Sequence, residues 1–145
     1  MKTPAKKSGF TLIEIVIVLA IAALIVVIVF AAVAGAQRSR RDAARKSAAN
    51  QALASVQQYY SANNNTAPTG TSLSSYINTL KEPSTNNAYT VTVKAVSSDN
   101  TTIAKDNIWI EPGTCSGTTA GVTASAGWSA IYYQENGTAG CVSIQ

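Results

Sequence analysis

Residues 15–34 read IVIVLAIAALIVVIVFAAVA: fourteen large apolar side chains, six alanines and no polar group. At a rise of 1.5 Å per residue, twenty helical residues span about 30 Å, the thickness of a bilayer's hydrocarbon core. The high Val and Ile content would favour a strand in water, but a strand this long without Gly, Pro or alternation is implausible. In lipid a helix satisfies its own backbone. On an insertion scale the fourteen large residues favour the membrane by about 4 to 8 kcal/mol, enough to carry a polar group at the edge. A spanning helix is therefore expected here.

The whole chain has 145 residues, one domain's worth, of which 46% are apolar and only 12% charged. It has no His, one Met and two Cys, which excludes imidazole-based catalysis and the usual zinc ligand sets. No phosphate-binding Gly-Lys motif, nucleophile elbow or dense carboxylate cluster appears either. An enzyme, a cofactor and a metal are not expected. The formal charge is +4, but Lys2, Lys6 and Lys7 supply three of those charges ahead of the apolar run. Nucleic-acid binding does not follow from the charge alone.

The residues before the run, MKTPAKKSG, are short and basic like the first part of an export signal, and favour a cytoplasmic N-terminus. An ordinary secretory signal would be cut after its apolar region, where Ala32, Ala34 and Ala36 offer small residues. Against that stands Gly9-Phe10-Thr11-Leu12-Ile13-Glu14, which leads directly into the apolar run. This segment resembles the cleavage and assembly signature of the type IV pilin family: a basic leader ending in Gly, then Phe-Thr-Leu-Ile-Glu and a long apolar stretch. The resemblance covers residues 1 to about 36. It implies that a prepilin peptidase cuts between Gly9 and Phe10 on the cytoplasmic side and methylates the new Phe10 amine. The apolar helix would stay in a mature chain of 136 residues, 145 minus 9. Glycine at position 9 also has a physical rationale, since a residue without a side chain lets a protease approach the backbone closely.

A carboxylate beside twenty apolar residues is costly, so Glu14 is functional by default. Cleavage would create an α-amine at Phe10 with an ordinary pKa near 8. The family resemblance implies that Glu14 pairs with the Phe10 amine of a neighbouring subunit inside a filament. The alternative is that Glu14, in the first helical turn, caps its own N-terminal N–H groups.

After Gly35 the sequence turns to QRSRRDAARKSAANQALASVQQYYS. Ala44, Ala48, Ala52, Leu53, Val56 and Tyr60 recur at three- and four-residue spacings, so an amphipathic helix should continue to about Tyr60. A helix from Phe10 to Tyr60 would be roughly 75 Å long. Many pilins carry a Gly and a Pro in the apolar half that loosen it locally; the matching positions here are Ala23 and Ala31. Arg38, Arg40, Arg41, Arg45 and Lys46 form a basic cluster offset only by Asp42. A solvated face, lipid headgroup contact, pairing with acidic groups of adjacent subunits and DNA binding all compete to explain it, and DNA is weakly supported because no aromatic residues lie nearby.

From about Asn63 the chain is polar and rich in turns. Leu73, Tyr76, Ile77 and Leu80 predict a short helix over 71–80, capped by Thr71 or Ser72 and ended by Glu82-Pro83. Tyr89, Val91, Val93 and Ala95 alternate with polar residues and predict a strand. Ile103 and Ile108-Trp109-Ile110 predict a second, and Trp128–Gln134 with Cys141–Ile144 a closing hairpin across Asn136-Gly137. Cys115 and Cys141 both lie in the exported portion, where an oxidising compartment favours a disulfide over a metal site. The pair resembles the C-terminal disulfide loop of many pilins, and that loop, with Trp128, is expected to be the exposed partner-contacting surface, unless Trp128 is core. Three sequons, at Asn64, Asn100 and Asn136, predict exposure.

The expected fold is α+β, a long N-terminal helix packed against a small antiparallel sheet. The expected segments are a leader at 1–9, a spanning and filament-core helix at 10–36, an amphipathic half at 37–62 and a globular head at 63–145. The resemblance implies a structural subunit of a type IV pilus that polymerises through its apolar helix. Its partners would be other copies of itself, the prepilin peptidase, the membrane assembly machinery and the lipid bilayer before assembly. Its location would be the inner or cytoplasmic membrane first and the cell surface afterwards. A pseudopilin of a type II secretion or competence apparatus shares the same N-terminus, and a membrane-anchored binding domain that never polymerises is the alternative of another class.

Overall fold

The computed structural model describes residues 9–77, 79–97, 102–117 and 120–145. Lys2, Lys6 and Lys7 of the leader, Asn78 of the expected short helix, and the Asn100-Thr101 part of one sequon lie outside the described residues. The chain forms two compact units, Met1–Gln37 and Arg38–Gln145.

Helix α1 is continuous from Leu12 to Ala62. Ala23 and Ala31 sit inside it without a break. In the first unit every large apolar side chain from Phe10 to Val33 is exposed, from 45% at Val33 to 84% at Phe10. A helix apolar all round and covered by none of the described residues needs lipid or other chains around it. It is long and apolar enough to cross a membrane.

In the second unit α1 buries Arg45, Ala48, Ala49, Ala52, Leu53, Ser55 and Val56, with Tyr59 and Tyr60 half-buried after them. Ala44, expected on this stripe, is exposed, and Arg45 takes the inward position. The spacing of the alanines places the stripe to within one residue of where it lies. The helix ends two residues beyond Tyr60, where Asn64 and Asn65 adopt φ of 51° and 62° and the Asn65 amide donates to Tyr60 O at 2.9 Å. Asn tolerates that left-handed conformation better than most residues.

Helix α2 spans only Ser74–Ile77, shorter than the expected 71–80. The Ser72 hydroxyl accepts from the Thr69 amide at 3.0 Å, so it closes a turn before the helix rather than capping it. Leu73 and Ile77 still face inward as the spacing required.

The strands are β1 Thr90–Val93, β2 Asn107–Cys115, β3 Val122–Tyr133 and β4 Ala139–Ile144, in sheet order β1-β2-β3-β4. The sheet is mixed, not antiparallel as expected: β1 runs parallel to β2, and the other two pairs are antiparallel. Thirteen residues, 94–106, separate β1 from β2 in the chain, enough for the crossover of a dozen or more that parallel pairing requires. Alternation along β1 looks the same for either direction, which is why the sequence left the direction open. β1 also stops short at both ends, leaving Tyr89 and Ala95 outside it.

β2 continues through Pro112, which sits where the β2–β3 register shifts between Pro112 and Thr114. A proline is tolerated in a sheet at such a bulge. Gly113 there has φ of 129°, and a Cβ on it would lie 2.3 Å from Thr123 O, so only glycine fits. The β3–β4 turn closes with Gln134 N donating to Thr138 O at 2.9 Å and with Gly137 at φ 85°, as the Asn136-Gly137 pair suggested.

One face of the sheet, carrying Val91, Ile108, Ile110, Ala130 and Tyr132, packs on the α1 stripe. The other buries Ile131 against Ile103, Ala120, Val122 and Ala139, beside half-buried Trp109 and Tyr133. The head is thus covered on both faces.

Candidate functional site

The first site is the start of α1. Gly9 is exposed, and a Cβ added there would meet nothing within 4 Å. The fold itself places no demand for glycine at this position. Phe10 is 84% exposed, the most exposed of the large apolar residues. Thr11 is the residue before the helix, and Glu14 is the third residue within it. Glu14 Oε2 accepts from the Thr11 amide and the Thr11 hydroxyl, each at 2.8 Å, and the Thr11 hydroxyl lies 3.4 Å from the Glu14 amide. This is a capping box, in which the two residues satisfy each other's backbone donors. The capping alternative for Glu14 therefore has its geometry within one chain. Glu14 Oε1 has no partner among the described residues, so capping uses one carboxylate oxygen of two.

The second site lies in the head and was not foreseen. Arg45 is fully buried, and so is Glu82, whose Oε1 receives Arg45 Nε at 2.9 Å and a short contact from Arg45 Nη2. Arg45 Nη1 reaches Glu135 Oε1 at 2.8 Å and Asp42 Oδ1 at 3.3 Å. Arg41 Nε adds a bond to Glu135 Oε1 at 3.0 Å, and the Glu135 amide donates to Asp42 Oδ1 at 2.8 Å. The second Glu82 oxygen accepts from the Ser84 amide at 2.7 Å, the Ser84 hydroxyl at 2.6 Å and the Thr85 amide at 2.6 Å. The cluster joins α1, the turn at 82–85 and the β3–β4 turn.

Burial alone would raise the Glu82 pKa, but the Ser84 hydroxyl, the Arg45 guanidinium and the Thr85 and Ser84 amides outweigh it and hold the carboxyl down at about 2. Glu135 is likewise lowered, chiefly by its bond to Arg45. The expected basic cluster is thus split. Arg41 and Arg45 are consumed inside the head, and their counter-charges include Glu82 and Glu135 as well as Asp42. The one signal available beforehand was the helical spacing of Arg45 to Ala48, Ala49 and Ala52.

Cys115 and Cys141 form a disulfide with Cα atoms 5.9 Å apart and no free cysteine elsewhere in the chain. β3 lies between β2 and β4, so this approach requires the far end of the β2–β3 hairpin to curl back over the sheet, where Val122 and Cys141 share the second core. Closing a loop of sequence separation 26 is worth about 3 to 4 kcal/mol by chain entropy. Thiol labelling of the unreduced, denatured protein should find no thiol, and reduction should lower stability by about that amount; two labelled cysteines would refute the bridge.

Trp128 is half-buried, packs edge-on to Tyr60 at 6.2 Å and lines a cleft of about 590 Å³ with Pro68, Gly70, Val93 and Pro112. It is therefore both a core edge and an accessible surface. Asn64 to Thr66 and Asn136 to Thr138 are exposed, as those two sequons suggested. Among the described residues no group of His, Cys, Asp and Glu could hold a metal ion.

Residues 4–30 match a family model described as the prokaryotic N-terminal methylation motif. No curated protein and no solved structure matches the chain. The motif is that of prepilin-type leaders, and the matched residues take in Gly9, Phe10, Glu14 and most of the apolar part of α1.

Proposed function

We propose that this chain is the structural subunit of a type IV pilus, anchored in the membrane by α1 until it polymerises through that helix. The observation that carries the reading is the methylation motif at the start of a helix whose large apolar side chains, as far as Val33, are all uncovered. The prepilin peptidase is the proposed processing partner, with Gly9 and Phe10 as the cleavage pair and Phe10 as the methylated residue. Assembly would then need the machinery of the membrane and many copies of the same chain.

Glu14 is the proposed assembly residue. Its capping bonds occupy Oε2, and Oε1 is available to a cation. Cleavage supplies one in the Phe10 amine of a neighbour. Capping and pairing are compatible on this geometry.

The first test is processing. Mature protein should begin at Phe10 and contain 136 residues, 145 minus 9. Intact mass and N-terminal sequencing of membrane-extracted protein decide this, and a start near Gly35 or Gln37 would mean an ordinary signal peptide. Isolation of surface fibres with this chain as their dominant subunit would support the pilus. A processed chain found only with a secretion apparatus would instead make it a pseudopilin.

A further inference from the structure

We infer that Arg38 and Arg40 form a collar that binds anionic lipid headgroups while the subunit waits in the membrane. The inference rests on the proposed span of α1. Both side chains are exposed, and neither has an ion-pair or hydrogen-bond partner among the described residues. Arg38 lies four residues beyond Ala34, the last residue of the apolar run, and Arg40 six. At 1.5 Å per residue these offsets are about 6 and 9 Å along the helix, the depth of the headgroup layer beyond a hydrocarbon core.

Charge arithmetic says that the counter-charge comes from outside the chain. After Gly9 the sequence has eight cations, 11 minus the three leader lysines, and all seven acids. Asp42, Glu82 and Glu135 are committed to Arg41 and Arg45. Glu111 is fully buried, with one oxygen accepting from the Ser97 amide. Glu14 lies at the opposite end of the apolar run. Asp106 is left, together with Asp99 outside the described residues. Even with Lys94 and Lys105 set aside over the rings of Trp109 and Tyr133, Arg38, Arg40, Lys46 and Lys81 outnumber those two acids. A second copy carries the same surplus, so pairing between identical chains leaves part of the cationic charge of each unmatched. Anionic lipid, present at the right depth before assembly, can match it.

Lys46 supplies the control. It is exposed and unpaired among the described residues like the two arginines, but lies twelve residues beyond Ala34, about 18 Å along the helix. Measured from the headgroup layer at the level of Arg38 and Arg40, it stands about 9 to 12 Å further out, a little more than one Debye length in physiological salt. The protein as extracted from membranes is reconstituted into phosphatidylcholine bilayers containing trace spin-labelled phosphatidylglycerol or spin-labelled phosphatidylcholine. The motion-restricted fraction of each label gives the preference for anionic lipid. Any leader lysines are common to all variants, so differences belong to positions 38, 40 and 46.

Arg38→Gln and Arg40→Gln should each lower the preference several-fold, up to about fivefold per cation. Lys46→Gln should lower it clearly less than either arginine change, and about 1 M salt should erase most of the effect of the arginines. The collar is overturned by a wild-type chain without preference, by an Arg38→Gln/Arg40→Gln double variant that keeps it, or by Lys46→Gln lowering it as much as either arginine change. Intact mass of the same preparations separates this from the pilus reading. A mass starting near Gly35 removes the span and overturns both, whereas a retained span that never yields fibres overturns the pilus alone and leaves the lipid result standing.

Discussion

Arg45→Ala is expected to destabilise the head by about 3 to 5 kcal/mol, because it leaves the fully buried Glu82 carboxylate without its counter-charge. A domain's whole margin is about 5 to 15 kcal/mol, so much of the variant could unfold near body temperature. Urea denaturation of the detergent-solubilised full chain, followed by the fluorescence of Trp109 and Trp128, measures the loss. A change under about 1 kcal/mol would show that the ion cluster contributes nothing beyond packing. The double variant Arg45→Met/Glu82→Gln should recover a large part of the loss, since it removes both charges and leaves neither stranded.

The same cluster sets an acid limit. Glu82 titrates at about 2 in the folded head against an ordinary value of 4.5. A lowered carboxyl pKa contributes stability that is complete above the ordinary value and is lost as pH falls toward the folded one. Stability should therefore drop between about pH 4.5 and pH 2, with Glu135, also lowered, adding in the same direction. In the Arg45→Met/Glu82→Gln background this acid slope should be shallower. An unchanged slope would place the acid sensitivity elsewhere.

The second large effect is expected at Glu14. Glu14→Ala removes a carboxylate beside the apolar run, so membrane insertion should become no worse. Filament yield should nevertheless fall steeply, because a neighbour's Phe10 amine would be buried without its counter-charge, a cost of about 3 to 5 kcal/mol per contact. Glu14→Gln separates the two roles seen at this residue. Its amide oxygen can still accept from the Thr11 amide, so the capping box persists in part, but the charge is gone. Fibre yield is compared with the amount of inserted, processed subunit for each variant. Normal fibres from Glu14→Gln would leave Glu14 as a cap only, and loss of cleavage along with fibres would move its role upstream to the peptidase.

Much of the fold was legible because it rests on spacing. The apolar run, the inward stripe at Ala48, Ala52, Leu53 and Val56, and the Asn136-Gly137 turn each follow from a local rule and stand where expected. What was not legible depends on partners distant in sequence. The parallel direction of β1 is a matter of its pairing with β2, which no alternation encodes. Arg45 looked like one of five surface cations until Glu82, 37 residues away, and Glu135, on the β3–β4 turn, were seen to enclose it. The Thr11–Glu14 capping box was open to inspection in the motif itself, because Thr-x-x-Glu is a local signature. At Gly9 the structure adds nothing to the sequence, since a Cβ there would meet nothing within 4 Å.

The Arg41–Arg45 clasp on the β3–β4 turn also has a mechanical meaning. In the proposed filament, a pull on α1 from its N-terminal side would load Arg41, Asp42 and Arg45, and these residues hold Glu135 at the tip of the last hairpin. The load thus reaches the sheet at a closed turn and not at a loose chain end, where strands peel one bond at a time. The disulfide from Cys141 to Cys115 ties β4 to β2 across β3, so that strand cannot slide free even after its hydrogen bonds give way. The head is held by ion pairs at one point and a covalent link at another, and it is the ion pairs that acid would release first.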